Sequence, residues 1–187
     1  MQLSQAHDQE LDDVEAVLSS LLDRARESVR VSTGLSTGIF NHDRPHQALM
    51  ACLKRLPSVL PDGSRPFRVL LDGRVSDDTV SRYTDWLENP KVECVRANLP
   101  LIHMMIIDGN TFRIENPHIP EADKRSNTLV IEAPKSVAVT VVDSFDKRFA
   151  QARQSNARQR SRAVPPQPNG LVQGSGQIAK VCEPGRA

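Results

Sequence analysis

Few side chains of this 187-residue chain stand where they could do chemistry, and His103 is the first of them because of its neighbours. Leu101 to Ile107 (LIHMMII) is apolar apart from that one imidazole. An imidazole can carry a proton or hydrogen-bond an oxyanion, but in an apolar strand it can equally be a core group satisfied by a backbone carbonyl. His42 and His46, four positions apart, could hold a metal with a third ligand. No H-E-x-x-H pattern accompanies them and Pro45 lies between, so they read as a solvated helix start. Cys52, Cys94 and Cys182 lie far apart with no CxxC, which points to neither a zinc site nor a disulfide framework and fits a reducing compartment. Asp77-Asp78 has no second carboxylate at catalytic spacing. No metal and no cofactor are expected. The last candidates are Arg153, Arg158, Arg160 and Arg162, which could contact phosphates in a salt-sensitive, sequence-independent way. Their surroundings lack the aromatics that stack on bases, and a plain solubilising tail is the alternative.

The elements that must position these residues follow from pattern. Leu101 to Ile107, bounded by Pro100 and Asp108-Gly109-Asn110, reads as a strand buried on both faces. Asp-Gly supplies the positive-φ residues of a tight hairpin, so Thr111 to Glu115 returns antiparallel. Alternation then puts Leu101, His103, Met105 and Ile107 on one side and Ile102, Met104 and Ile106 on the other. Upstream, Leu11, Val14, Val17, Leu18, Leu21 and Leu22 recur at helical spacing over about Gln9 to Arg26. Ser28 to Thr33 alternates as a strand. Asp43 can cap a helix with Pro45 in its first turn and Ala48, Leu49, Cys52, Leu53 and Leu56 inward. Phe67 to Leu71 is a buried strand, Ser76 caps a helix to about Leu87 with Trp86 in the core, and Lys91 to Arg96 is a strand. Asn116 to Asn127 is a polar loop of a length that is often functional. Thr128 to Glu132 is a short strand, and Pro134 opens a helix to about Gln154.

Alternating strands and helices imply an α/β domain, a mixed sheet layered between helices, over residues 1–154. With 39% hydrophobic residues, the 187-residue chain can bury one sizeable core. Residues 155–187 turn to Arg, Gln, Ser, Pro and Gly and read as a disordered basic tail. From Gln151 onward six basic residues face one acid, Glu183, so with a total charge of +1 the preceding globule is mildly acidic. No run approaches the roughly 20 apolar residues of a membrane span and no signal peptide is apparent, so a cytoplasmic location is expected.

The order of these elements resembles a single phospholipase D-like domain over about Glu10 to Ala152. LLDRARESVRVST resembles its opening helix and strand, FRVLLDG and KVECVR its next strands, and SFDKRFAQA its closing helix. The family's hairpin carries the motif HxKxxxxDxxxxxxGSxN. On this chain Asp108 takes the motif's Asp, which puts Leu101 at the nucleophilic His and His103 at the Lys. Glu115 falls on the Gly, Asn116 on the Ser and His118 on the Asn.

The resemblance implies imidazole attack on phosphorus to give a phospho-histidine, a second His as general acid, and phosphate held by Lys and Asn. Half-sites come from two domains or a dimer. Leu101 can neither attack phosphorus nor carry a proton, so the expectation is a catalytically inactive domain. It would bind a phosphate-bearing ligand or nucleic acid at a remnant site of His103, Asp108, Asn116 and His118, as a homodimer across the old active-site face. The alternatives are a phosphodiesterase or nuclease using a rearranged site around His103 and His118, and a structural dimerisation module.

Overall fold

In the central strands apolar and polar residues alternate, Val29 and Val31 with Arg30 and Ser32, so each strand offers two chemically different faces. The computed structural model describes residues 3–5, 11–35, 38–98, 101–115 and 128–163. Seven strands form one mixed sheet: β1 (Leu3–Gln5), β2 (Val29–Thr33), β3 (Phe67–Asp72), β4 (Val92–Ala97), β5 (Met104–Ile107), β6 (Thr111–Glu115) and β7 (Thr128–Glu132). Their order is β1-β7-β6-β5-β2-β3-β4. β2, β3 and β4 run parallel, and every other pairing is antiparallel.

Helices lie on both sides. Against one face pack α1 (Leu11–Arg24) and α2 (Asp43–Arg55), in a core of Leu18, Leu22, Leu49, Leu53, Val29 and Val69. Against the other packs α5 (Lys135–Ala163), through Ala138, Phe145, Phe149 and Ala152 onto Leu70, Ile106 and Phe112. Burying each large side chain is worth about 1.5–3 kcal/mol, so these faces supply most of the driving force.

Four departures from the sequence pattern have local causes. The stretch capped by Ser76, whose Oγ accepts the Thr79 N–H, splits into α3 (Asp77–Ser81) and α4 (Thr84–Leu87). At the break Tyr83 turns inward and donates its hydroxyl to the Leu35 carbonyl at 3.0 Å, letting Trp86 sit fully buried among Phe40, Phe67 and Tyr83. The hairpin's first strand begins only at Met104, because β2 pairs with it no further than Ser32. Ile102 is 50% exposed, so burial on both faces begins with Met105. Polar Met1 to Gln9 carries no strand signal, yet β1 pairs with β7 through backbone groups. Finally, α5 continues past Gln154 to Ala163: Ser155 to Ala163 contains no Gly or Pro, and Ala, Gln and Arg are good helix formers. The 154/155 boundary therefore falls inside a helix, and residues 164–187 lie outside the described residues.

Candidate functional site

The hairpin turn fixes the geometry from one end. Asp108 (φ 48°) and Gly109 (φ 72°) are both left-handed, and the Asn110 N–H donates to the Ile107 carbonyl at 3.1 Å, a type I′ turn. Its Asp108 carboxylate accepts backbone N–H groups from Arg26, Glu27 and Ser28 at 2.8–2.9 Å. Asp108 thus fastens the turn to the α1–β2 connection. At the rise of a strand it stands about 15 Å from His103, at the opposite end of β5.

Around His103 the register builds a charged cluster. Met105 pairs with Arg113, and the Glu115 N–H donates to the His103 carbonyl at 2.9 Å, so Arg113 and Glu115 follow one another on one face of β6. The His103 imidazole Nδ1 lies 3.4 Å from Glu115 Oε2, and the Arg113 guanidinium forms an ion pair with the other carboxylate oxygen. Arg113 is 7% exposed, and its Nε has no hydrogen-bond acceptor among the described residues. Burial pushes the Glu115 carboxyl up, but the His103 hydrogen bond and Arg113 together outweigh it, and the group is held below the usual carboxylate range. The Glu115 carboxylate thus faces both the His103 ring and the Arg113 guanidinium. Asp72, at the end of β3, is likewise lowered, mainly by its hydrogen bond from Arg74, with His103 contributing more weakly. The carboxyl ends of parallel strands are where ligands bind in open α/β sheets.

Of the four residues expected to form a phosphate site, the structure places His103 in this cluster and Asp108 at the far end of β5; Asn116 and His118 lie outside the described residues. Leu101 does not share His103's surroundings. It packs on the α5 side of the sheet with Met104 and Ile114, because residues 101–103 leave the ladder and alternation no longer orients them. There it lines a groove of about 330 Å³. The arginines of the expected tail also change character. Arg153 pairs with Glu93 at 3.2 Å, Arg158 is exposed, and Arg160 and Arg162 lie within α5.

A second cluster was not singled out by motif. Arg30 forms a bidentate pair with Asp146 (2.9 and 3.1 Å), and Arg68 donates to the same carboxylate at 2.9 Å while its guanidinium lies 5.9 Å from the Phe149 ring centre. Both arginines are buried, and Arg68 also reaches the exposed Asp62 carboxylate at 3.5 Å. Parity in SVRVS already sends Arg30 away from Val29 and Val31, but nothing local ties it to an aspartate in the last helix.

The remaining candidates are accounted for locally. His42 Nδ1 lies 2.6 Å from Glu15, and His46 Nε2 lies 3.3 Å from Asp85. Burial pushes the thiols of Cys52 and Cys94 up to about 12, so both are protonated and poorly nucleophilic at neutral pH. None of the helices among the described residues is long and apolar enough to cross a membrane.

No protein-family model and no curated sequence matches the chain. Its fold does match solved structures. The archaeal chromatin protein TrmBL2, described as showing a novel mode of DNA binding, superposes with a TM-score of 0.56 at 11% identity over 81% of this chain and 52% of that one. NucT from Helicobacter pylori gives 0.52 at 15% identity over 81% and 95%. Phosphatidylserine synthase of Haemophilus influenzae gives 0.50 at 14% identity over 75% and 36%. The chain thus spans about half the length of the first and a third of the last. At these identities the likeness concerns the fold, which is phospholipase D-like.

Proposed function

We propose that this chain is a phospholipase D-like domain that binds a phosphate-bearing ligand or nucleic acid without cleaving it. What supports this reading is the sequence alignment: counting back from Asp108, the aliphatic Leu101 stands at the position the motif gives to the attacking imidazole. His103, oriented by Glu115 at the carboxyl ends of the parallel strands, supplies an N–H donor to a phosphate oxygen, with Asn116 and His118 following β6. Asp108 contributes indirectly by fixing the hairpin. The DNA-binding description of TrmBL2 supports nucleic acid as the ligand, and the exposed Arg153 and Arg158 add phosphate contacts. A homodimer that brings two such sheet ends together belongs to the same proposal.

Titration calorimetry with inorganic phosphate and with a short single-stranded DNA tests it. Binding that weakens at least tenfold in His103→Ala and falls steeply with added salt is the expected result. Equal binding by the variant sinks the proposal. One observation favours a second reading, a phosphodiesterase with a rearranged site: the imidazole–carboxylate pair of His103 and Glu115 is the arrangement of a general base. Turnover of bis-nitrophenyl phosphate that disappears in His103→Ala would decide for the enzyme. A chain that dimerises but binds neither probe would be a structural module.

A further inference from the structure

Between α5 and the end of the sheet lies the groove of about 330 Å³ that Leu101 lines. Its walls are apolar: Leu101, Met104, Ile114, Val141 and Phe145. The mouth is different. Ile102 stands half exposed on one side, and on the helix side Ser144 and Arg148, one turn apart, are both exposed. The basic residues that fasten α5 to the sheet all have acidic partners, Arg30 and Arg68 on Asp146 and Arg153 on Glu93. Arg148 has none among the described residues, although Glu93 and Asp146 lie on the same side of the sheet. A mainly apolar groove with the Arg148 guanidinium at its entrance has the build of a small-molecule site, in which apolar walls supply affinity and a few polar groups fix orientation.

We infer that this groove is a binding site for a small amphipathic anion, an unbranched apolar chain ending in a carboxylate or a phosphate, with the chain between β5 and α5 and the head group on Arg148. The inference is independent of the His103 reading, since Leu101 and His103 have different surroundings. Size sets the chain length. If each methylene takes roughly the 30 Å³ that a water molecule occupies in the liquid, the groove holds about eleven such groups, head group included, which a chain of about ten carbons fills. Charge sets the head group, because a guanidinium grips a carboxylate or a phosphate bidentately and offers nothing comparable to an uncharged alcohol. Nucleic acid is a poor occupant: the walls offer neither stacking rings aligned along a track nor a row of cations.

Calorimetry with decanoate, decyl phosphate, decanol and butyrate, below micelle-forming concentrations, tests the site. Decanoate or decyl phosphate should bind one to one, and whichever binds more tightly identifies the natural head group. Decanol should bind about tenfold more weakly, and butyrate not measurably. Arg148→Ala should abolish the preference for the anion while leaving decanol unchanged. Ser144→Trp, which fills the groove from an exposed helix position, should abolish binding of all three long chains; Thr140→Phe from the neighbouring turn serves if that variant melts early. Failure of both anions to bind, an anion preference that survives Arg148→Ala, or binding that survives both filling variants overturns the proposal. So does a sedimentation experiment in which the filling variants split a dimer, since a second copy of the chain would then occupy the groove.

Discussion

Under α1 and α2 the strands present Val29, Val31, Val69 and Leu71, whereas under α5 neighbouring positions of the same strands present Arg30, Ser32, Arg68 and Leu70. The first face closes by apolar packing, with Trp86 wedged among three aromatic rings. The second closes by a shared ion pair, two arginines on Asp146, flanked by two open grooves lined from α5. A dry core tolerates no gaps, while a helix held by directional charge pairs can span an imperfectly filled seam. The same alternation in β2 and β3 therefore yields one face specialised for stability and one with room for a ligand.

Breaking the apolar face should cost most. Trp86→Ala is expected to destabilise the chain by about 3–5 kcal/mol in urea unfolding, the usual range for emptying a buried aromatic site. Trp86→Phe should cost much less, because the buried indole N–H has no acceptor among the described residues and its loss offsets part of the lost packing. Breaking the charged face should cost less. Asp146→Ala leaves two buried guanidiniums sharing no carboxylate, but Asp146 is a third exposed, so about 2 kcal/mol is expected by the same measurement. Replacing the whole set by Arg30→Met, Arg68→Met and Asp146→Leu should recover most of that loss, as apolar replacement of buried ion pairs often does. A triple variant no more stable than Asp146→Ala would show that charge, and not merely volume, holds α5.

Much of the architecture was legible because it is local. Asp108-Gly109 announces its own turn, Ser76 its own cap, and the 3.6-residue and two-residue periods of α1 and β2 identify the buried faces. What was illegible depends on partners distant in sequence. The Arg30–Asp146 pair spans 116 residues and the Arg68–Asp146 pair 78, and no pattern within a window contains them. The start of β5 depends on where β2 stops pairing, and this one fact moved Leu101 to the other side of the sheet from its expected position. Of the candidate site, His103 was readable as an anomaly in an apolar run. Arg113 and Glu115 were visible only as strand residues, because their ion pair draws meaning from the register that puts His103 beside them.

Between the two faces lies the hairpin, and its anchoring sharpens the comparison further. Asp108→Ala removes the acceptor of three backbone N–H groups and places a side chain ill suited to φ 48° in the turn; a loss of about 1–3 kcal/mol is expected by thermal melts. Asp108→Asn keeps an oxygen acceptor and tolerates the left-handed backbone, so it should retain most of that stability.

The smallest effect expected concerns Glu115, which belongs to neither face but to the end of the sheet. Its carboxyl is held below the ordinary value of 4.5, so in the unfolded chain it takes up a proton at higher pH than in the folded one. Folded-state stability from this group is therefore fully present above the unfolded value and is lost as pH falls through the lowered one. Urea midpoints measured from about pH 6 down to pH 3 should decline for the parent chain and decline less steeply for Glu115→Gln, which has no proton to gain. At neutral pH the same variant removes the carboxylate that Arg113 and His103 share, so it should be modestly less stable there, and the two curves should converge in acid. Parallel curves would mean that the His103–Glu115–Arg113 cluster contributes no differential charge stabilisation to the folded state, in contrast to the ion-paired seam under α5.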